Sequence, residues 1–488
     1  MRSATMPMEF CMESVPGKGA TPPISAIMAI LAVTVAGCTS GESAALPVGG
    51  LPRYALQPGM ELHYSGQGSF KHDRGSFDSA SDWKVWVTRE NSDGSWRIVI
   101  RYASVRDSKD ATSADADVTL AYLDLFPDGR FAENSSFGYR FDPHVLFARL
   151  PANEKEVRSG WQSRIEISDA TYRYTAKVSD MAPSAIWQFL REDDSPRRRI
   201  YRLTSQSTFS FDRGKGLVLR VDTQSKQESR NGGGIDHIEL KDSAVREPAW
   251  IAALERDMDR YFQVNEQHGR LVERLHTAVV DADDRLNRAA DLWTKLHDEV
   301  TTDVVRDAVK RRISTDQSWR NHRLEEAEKL AGVLGQPAPD WKATDLAGNH
   351  HRLADYQGKV VVLDFWYRGC GWCIRAMPQV NQVADEFAAA PVVVLGMNTD
   401  SKLEDAKFVE NEMRLKYPSL RIDDELPKSY GVRGFPTLVI LDQVGVIRDI
   451  HVGYTPALRT SVAKSIQLLL ENPASSPESP QGNPAPLH

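Results

Sequence analysis

Hydrophobic and polar positions along the 488-residue chain fall into three regimes. From Leu56 to about Val245, apolar residues alternate or nearly alternate with polar ones, as in Trp83-Lys-Val-Trp-Val-Thr88 and Trp96-Arg-Ile-Val-Ile-Arg-Tyr102. That period, with aromatic and β-branched residues, predicts half-buried strands. Asn91-Ser-Asp-Gly94, Pro127-Asp-Gly129, Asp212-Arg-Gly-Lys-Gly216 and Gly232-Gly-Gly234 supply the turns between them. Many strands on tight turns predict an all-β region, an antiparallel sheet that is curled or barrel-like. Its aromatics, Trp83, Trp86, Trp96, Tyr102, Phe209 and Phe211, are expected to fill that sheet's core. His63, His72, His144 and His237 are scattered through it and form no catalytic constellation in sequence.

After Pro248 the period changes to steps of three and four: Trp250, Leu254, Met258, Tyr261, then Leu271, Leu275, Val279, and on through Leu286, Trp293, Leu296 and Val304. Proline is absent from Ala249 to Gln336. Two or three helices follow, with breaks expected at Asp281-Ala-Asp-Asp284 or Ser314-Thr315, and the charged stripe between apolar positions reads as a solvated face.

The third regime opens with a continuous apolar run, Val360-Val-Val-Leu363, that carries on through Asp364-Phe-Trp366, as a strand buried on both faces would. It leads into Cys370-Gly-Trp-Cys373 and then into helical spacing at Ile374, Met377, Val380, Val383 and Phe387. A second buried strand is expected at Pro391–Met397, a helix at Leu403–Lys416, and a hairpin from Thr437–Leu441 and Val446–Val452. A final helix is expected to be capped by Thr455 and begun by Pro456.

Two cysteines three apart therefore sit where a strand gives way to a helix. Unpaired N–H groups and the positive end of the helix dipole at that place favour a thiolate on Cys370. Cys370 is then expected to be the exposed, attacking sulfur. Cys373, one turn in, is placed to attack the disulfide that Cys370 forms. Arg368 adds positive charge nearby, or is a solvated loop residue. A zinc site usually needs four ligands, and the other two cysteines, Cys11 and Cys38, lie in the N-terminal leader. A c-type haem site needs His after the second cysteine, where Ile374 stands.

These residues resemble the thioredoxin superfamily, in particular its extracytoplasmic TlpA/ResA-like branch. Asp364-Phe365-Trp366 matches the family's buried Asp-Phe-Trp, Pro378 its helix-kinking proline, and Gly434-Phe435-Pro436-Thr437 the loop whose cis-proline faces the dithiol. Gly335-Gln-Pro-Ala-Pro339 and Asp345-Leu-Ala-Gly348 resemble the lead-in of TlpA-like and peroxiredoxin-like domains. The resemblance covers about Leu334 to Leu470 and implies an α/β thioredoxin-like fold acting as a thiol–disulfide oxidoreductase. Asp364 would then exchange protons with Cys373, while Trp372, Phe435 and Pro436 would contact substrate. ResA-like proteins carry Glu where this chain has Ala376, so the proton-handling carboxylate looks thioredoxin-like. Tyr367 stands where a peroxiredoxin would carry Thr or Ser.

Composition narrows the setting. The formal net charge of −7 gives no reason to expect nucleic acid as a partner. Ile24–Val35 is apolar but shorter than the ~20 residues that span a bilayer, which suits a signal peptide. Val35-Ala-Gly-Cys38 resembles a bacterial lipoprotein box, which implies lipidation at Cys38 and a membrane anchor. The expected organisation is a signal peptide at 1–37, a tether at 38–54, the β-rich domain at 55–246, helices at 247–332, the thioredoxin-like domain at 333–471 and a disordered tail at 472–488. The implied partners are protein thiol or disulfide substrates and an electron-donor or acceptor protein, without metal or organic cofactor. Two other functions stay open: an envelope binding or assembly lipoprotein whose β domain holds a lipid or partner, and a thiol peroxidase.

Overall fold

A computed structural model describes residues 50–73, 75–106, 117–132, 142–165, 170–177, 186–228 and 231–472. The leader, its Cys38 and nearly all of the tether and tail lie outside the described residues. Contacts divide the chain into two units. The first takes in the chain through Arg164, Thr171–Asp194 and Thr204–Val245. The second takes in Ile165–Ala170, Ser195–Leu203 and Arg246–His488.

The first unit is built on one large antiparallel sheet. Its strands are β1 (Met60–His72), β2 (Gly75–Glu90), β3 (Trp96–Arg106), β4 (Asp117–Leu125), β5 (Trp161–Ile165), β6 (Ala170–Lys177), β7 (Ile186–Asp193), β8 (Leu203–Asp212), β9 (Leu217–Gln227) and β10 (Gly232–Val245). Neighbours run β4-β3-β2-β1-β10-β9-β8-β7-β6-β5, with β4 and β5 at the two ends. The short helix α1 (Glu154–Ser159) precedes β5 and α2 (Pro196–Ile200) joins β7 to β8. Of the six aromatics expected inside, five are buried and Tyr102 is half-buried. Trp86, Phe209 and Phe211 are almost wholly buried, and Phe189 stacks on Phe209 with ring centroids 4.9 Å apart. The histidines are less solitary than their spacing suggests. His63 meets Asp82 at 2.6 Å, His237 meets Asp222 at 2.8 Å and His144 meets Asp142 at 2.8 Å. Two of these pairs are made across neighbouring strands (β1 with β2, β10 with β9), which a linear reading cannot register.

In the second unit three helices come first: α3 (Pro248–Val272), α4 (Ala282–Glu299) and α5 (Asp303–Ala331), with a 3₁₀ turn over Leu275–Asp281. Asp281 is the N-cap position of α4, but Ser314-Thr315 lies inside α5 and breaks nothing. The Thr315 hydroxyl donates back to the Arg311 carbonyl at 2.9 Å, so it stays within the helical ladder. The second break is at Val300–Thr302, and its cause is remote. The buried Asp257 carboxylate of α3 accepts from the Thr301 and Thr302 N–H groups at 2.9 and 2.7 Å and from the Thr302 hydroxyl at 2.7 Å. A side chain from another helix thus satisfies donors that would otherwise be orphaned at the start of α5. Among the described residues no helix is long and apolar enough to cross a membrane.

The thioredoxin-like fold follows: β11 (Lys342–Asp345), β12 (His350–Arg352), β13 (Val360–Trp366), α6 (Gly371–Glu386), β14 (Val392–Asn398), α7 (Leu403–Met413), β15 (Ser419–Arg421), α8 (Glu425–Ser429), β16 (Thr437–Leu441), β17 (Ile447–Val452) and α9 (Leu458–Glu471). The sheet order is β12-β11-β15-β14-β13-β16-β17, with β13 central, parallel to β14 and antiparallel to β16. The last helix starts later than Thr455-Pro456 predicts. The Thr455 carbonyl accepts from the Leu458 N–H at 3.2 Å and from the Gln379 side chain at 3.1 Å, closing a turn ahead of α9.

Candidate redox site

All seven residues of β13 are buried. Strand alternation divides them between two faces. Val361, Leu363 and Phe365 join one core cluster, while Val360 and Val362 pack with Ala376 and Val380 of α6 in another. Asp364 continues the second row, so a carboxylate is held in an apolar layer beneath the active-site helix. It is 2% exposed. Burial pushes its pKa up to about 7, and one hydrogen bond, from the Tyr417 hydroxyl at 2.8 Å, opposes that rise. Tyr417 is itself buried, and its own pKa is raised well above the ordinary value by burial and by the Asp364 charge. It stands 53 residues from Asp364, so no local pattern marks it as a partner.

The strand ends in Trp366, fully buried. Gly396 of β14 makes room for it: a Cβ there would lie 2.8 Å from the Trp366 indole nitrogen. The chain then turns into α6, with Cys370 as the N-cap. Cys370 and Cys373 are joined as a disulfide, and the Cys370 sulfur accepts from the Cys373 N–H at 3.0 Å. One of the otherwise unpaired donors of the helix start is therefore aimed at Cys370. Cys370 is 5% exposed and Cys373 1%. Cys370 is the more exposed residue of the two, but it is not the open thiol expected. Both lie in an apolar cluster with Trp366, Ile374, Met377 and, from α2, Ile200.

The Phe435–Pro436 peptide is cis, as the motif implies. Phe435 is half-buried and meets the Tyr367 ring edge-on at 5.2 Å. Trp372, also half-buried, stacks on Tyr454 at 5.8 Å, with the Arg375 guanidinium 5.4 Å from its ring. Ala376, where ResA-like proteins carry Glu, is 1% exposed and packs in the core below α6.

Arg368 is neither a free charge beside the thiol nor a solvated loop residue. Its N–H donates to the Asp400 carboxylate at 2.9 Å, and its guanidinium pairs with Asp405 and lies 4.7 Å from the Phe408 ring. Two further guanidinium N–H groups donate to the Ile200 carbonyl at 3.1 and 2.6 Å. Asp405 thereby offsets the charge that a linear reading offers to the thiolate. Of the tandem histidines, His351 is held by Asp345 at 3.1 Å and by the Tyr356 hydroxyl. Among the described residues, no three His, Cys, Asp or Glu side chains gather as metal ligands.

Residues 334–450 match the AhpC/TSA family. The thiol-disulfide oxidoreductase ResA of Geobacillus kaustophilus is 38% identical over 129 residues, 26% of this chain and 73% of that protein. The thioredoxin-like protein YneN of Bacillus subtilis is 31% identical over 137 residues, 28% of this chain and 81% of that one. Among solved structures, a putative thiol:disulfide interchange protein DsbE from Chlorobium tepidum is 31% identical, covering 28% of this chain and 97% of its own, with a TM-score of 0.27.

Proposed function

The chain belongs, through its C-terminal thioredoxin-like domain, to the ResA family of thiol–disulfide oxidoreductases, and from that premise we propose that Cys370 and Cys373 are its exchanging pair. The observation that carries the proposal is the bonded pair at the start of α6, with the Cys370 sulfur facing the Cys373 N–H. In the reduced protein the Cys370 thiolate attacks one sulfur of a substrate disulfide. A mixed disulfide forms and one substrate thiolate leaves. Asp364 takes the Cys373 proton, and the Cys373 thiolate attacks the Cys370 sulfur. The second substrate thiolate leaves, so the substrate gains two electrons and the Cys370–Cys373 disulfide forms. A partner protein's dithiol resets the pair; the same steps reversed oxidise a substrate.

A carboxylate with a pKa near 7 suits this role, since it can both accept and return a proton at neutral pH. Phe435, Pro436 and Trp372 are the proposed substrate contacts, with the Phe435 backbone pairing an extended substrate segment. The proposed location is outside the cytoplasm, with a lipid on Cys38 holding the chain to a membrane, where disulfide exchange has a purpose.

Cys373→Ala is expected to capture substrates as stable mixed disulfides through Cys370, and Cys370→Ala to capture none. Alkylation of the reduced protein across a pH series, mapped by peptide, reads the order of the two thiols. If Cys373 is modified at lower pH than Cys370, the roles are reversed.

A further inference from the structure

The segment Ser195–Leu203 stands between two strands of the large sheet, yet its contacts place it in the same unit as the dithiol. Ile200, at its centre, is fully buried. It shares an apolar cluster with both cysteines, Met377 of α6 and Val409 of α7. Its carbonyl takes two N–H groups from Arg368, two residues before Cys370. Arg199 reaches Glu412 of α7 at 2.5 Å. The segment is therefore held beside the attacking sulfur by the aliphatic Ile200, by Tyr201 packed against the same cluster, by a forked hydrogen bond and by an ion pair.

We propose that the face flanking the dithiol, between Arg368 and α7, is a docking surface whose resident occupant is this chain's own segment 195–203, and that a protein disulfide gains Cys370 only when that segment leaves. This rests on the exchange chemistry proposed above and adds control of access to it. The attachment is suited to reversal. α2 has five residues, too few to persist as a helix without its docking contacts. Arg202, directly after Tyr201, has φ of 48°, a left-handed conformation that a non-glycine residue holds at a cost and that release would relieve. A folded substrate needs a broad face around Cys370, whereas a small disulfide needs only a line of approach to the sulfur.

The test uses the reduced full-length protein and two oxidants, insulin as a protein disulfide and 2-hydroxyethyl disulfide as a small one. Ile200→Glu puts a charge into the apolar anchor site. It is expected to speed reaction with insulin about tenfold while changing the small-disulfide rate by less than about twofold, as when a mostly covered state is uncovered. Amide exchange over residues 195–203 should quicken in the same variant, a readout independent of turnover. An insulin rate that stays level or falls, with the small-disulfide rate intact, overturns the proposal. If Ile200→Glu slows both reactions, a charge-swap pair decides instead. Arg199→Glu should raise the insulin rate, and adding Glu412→Arg should return it to the wild-type value. Equal insulin rates in all three proteins would overturn the proposal. A wild-type protein inert toward both disulfides would instead sink the exchange chemistry, leaving the amide-exchange comparison to judge the docking.

Discussion

Replacing Asp364 with Asn tests whether a buried carboxylate, rather than a merely polar residue, sits under the dithiol. Asp364 is 2% exposed, it accepts a hydrogen bond from the Tyr417 hydroxyl at 2.8 Å, and its pKa is pushed up to about 7. A folded-state pKa above the unfolded one means that the fold favours the protonated form. The associated stability is complete below the unfolded pKa and is lost as pH rises through the folded one. With an unfolded value of about 3.9 and about 1.4 kcal/mol per pH unit, the loss reaches about 4 kcal/mol by about pH 8. Asn keeps the shape and the acceptor for Tyr417 but carries no titrating proton. Its amide N–H groups add a roughly pH-independent cost of about 1–3 kcal/mol if left unpaired. The quantity to measure is therefore the change in the gap between the two proteins with pH, not the gap at one pH. The oxidised proteins would be titrated with urea at fixed pH values, with a brief deuterium pulse and mass spectrometry of the peptide covering β13. Relative to wild type, Asp364→Asn should gain stability as pH rises from about 4 to about 8, by about 4 kcal/mol in the limit. A gap that stays flat over that range would refute the buried titrating carboxylate and, with it, the proton exchange assigned to it.

Three further outcomes are expected. Tyr417→Phe removes the one hydrogen bond that lowers the Asp364 pKa, so the pH dependence of mixed-disulfide resolution should move to higher pH; an unmoved or acid-shifted profile would contradict the pairing. Asp257→Ala strips the donors at the start of α5 of their shared acceptor and should cost about 1–3 kcal/mol, read as faster amide exchange at Thr301–Asp303. Cys38→Ser should shift the protein from the membrane fraction to the soluble one or block its maturation. A variant that stays membrane-bound and is processed at the same position would remove the case for lipidation.

The dithiol's place in the fold is a local property, and the sequence by itself determined it. A short apolar run with a β-branched head is what a strand covered on both faces shows. Apolar residues at steps of three and four can only bury together on a helix, so the cysteines between these patterns had to sit at a strand-to-helix turn. The cis-proline loop and the aromatic core of the large sheet were legible for similar reasons, since turn chemistry and alternation act over a few residues. The tertiary structure decided what depends on partners far along the chain. Asp257 ends one helix and opens the next from 44 and 45 residues away. Tyr417 reaches Asp364 across 53 residues, and Ile200 lies against Arg368 across 168. Each contact joins groups whose own neighbours give no sign of it, because burial and hydrogen bonding reward proximity in space whatever the separation in sequence. The same reason accounts for the two misjudged residues at the site. Arg368 looks like a free charge until Asp405 and the Ile200 carbonyl meet it, and Cys370 an open thiol until it is packed into its apolar cluster.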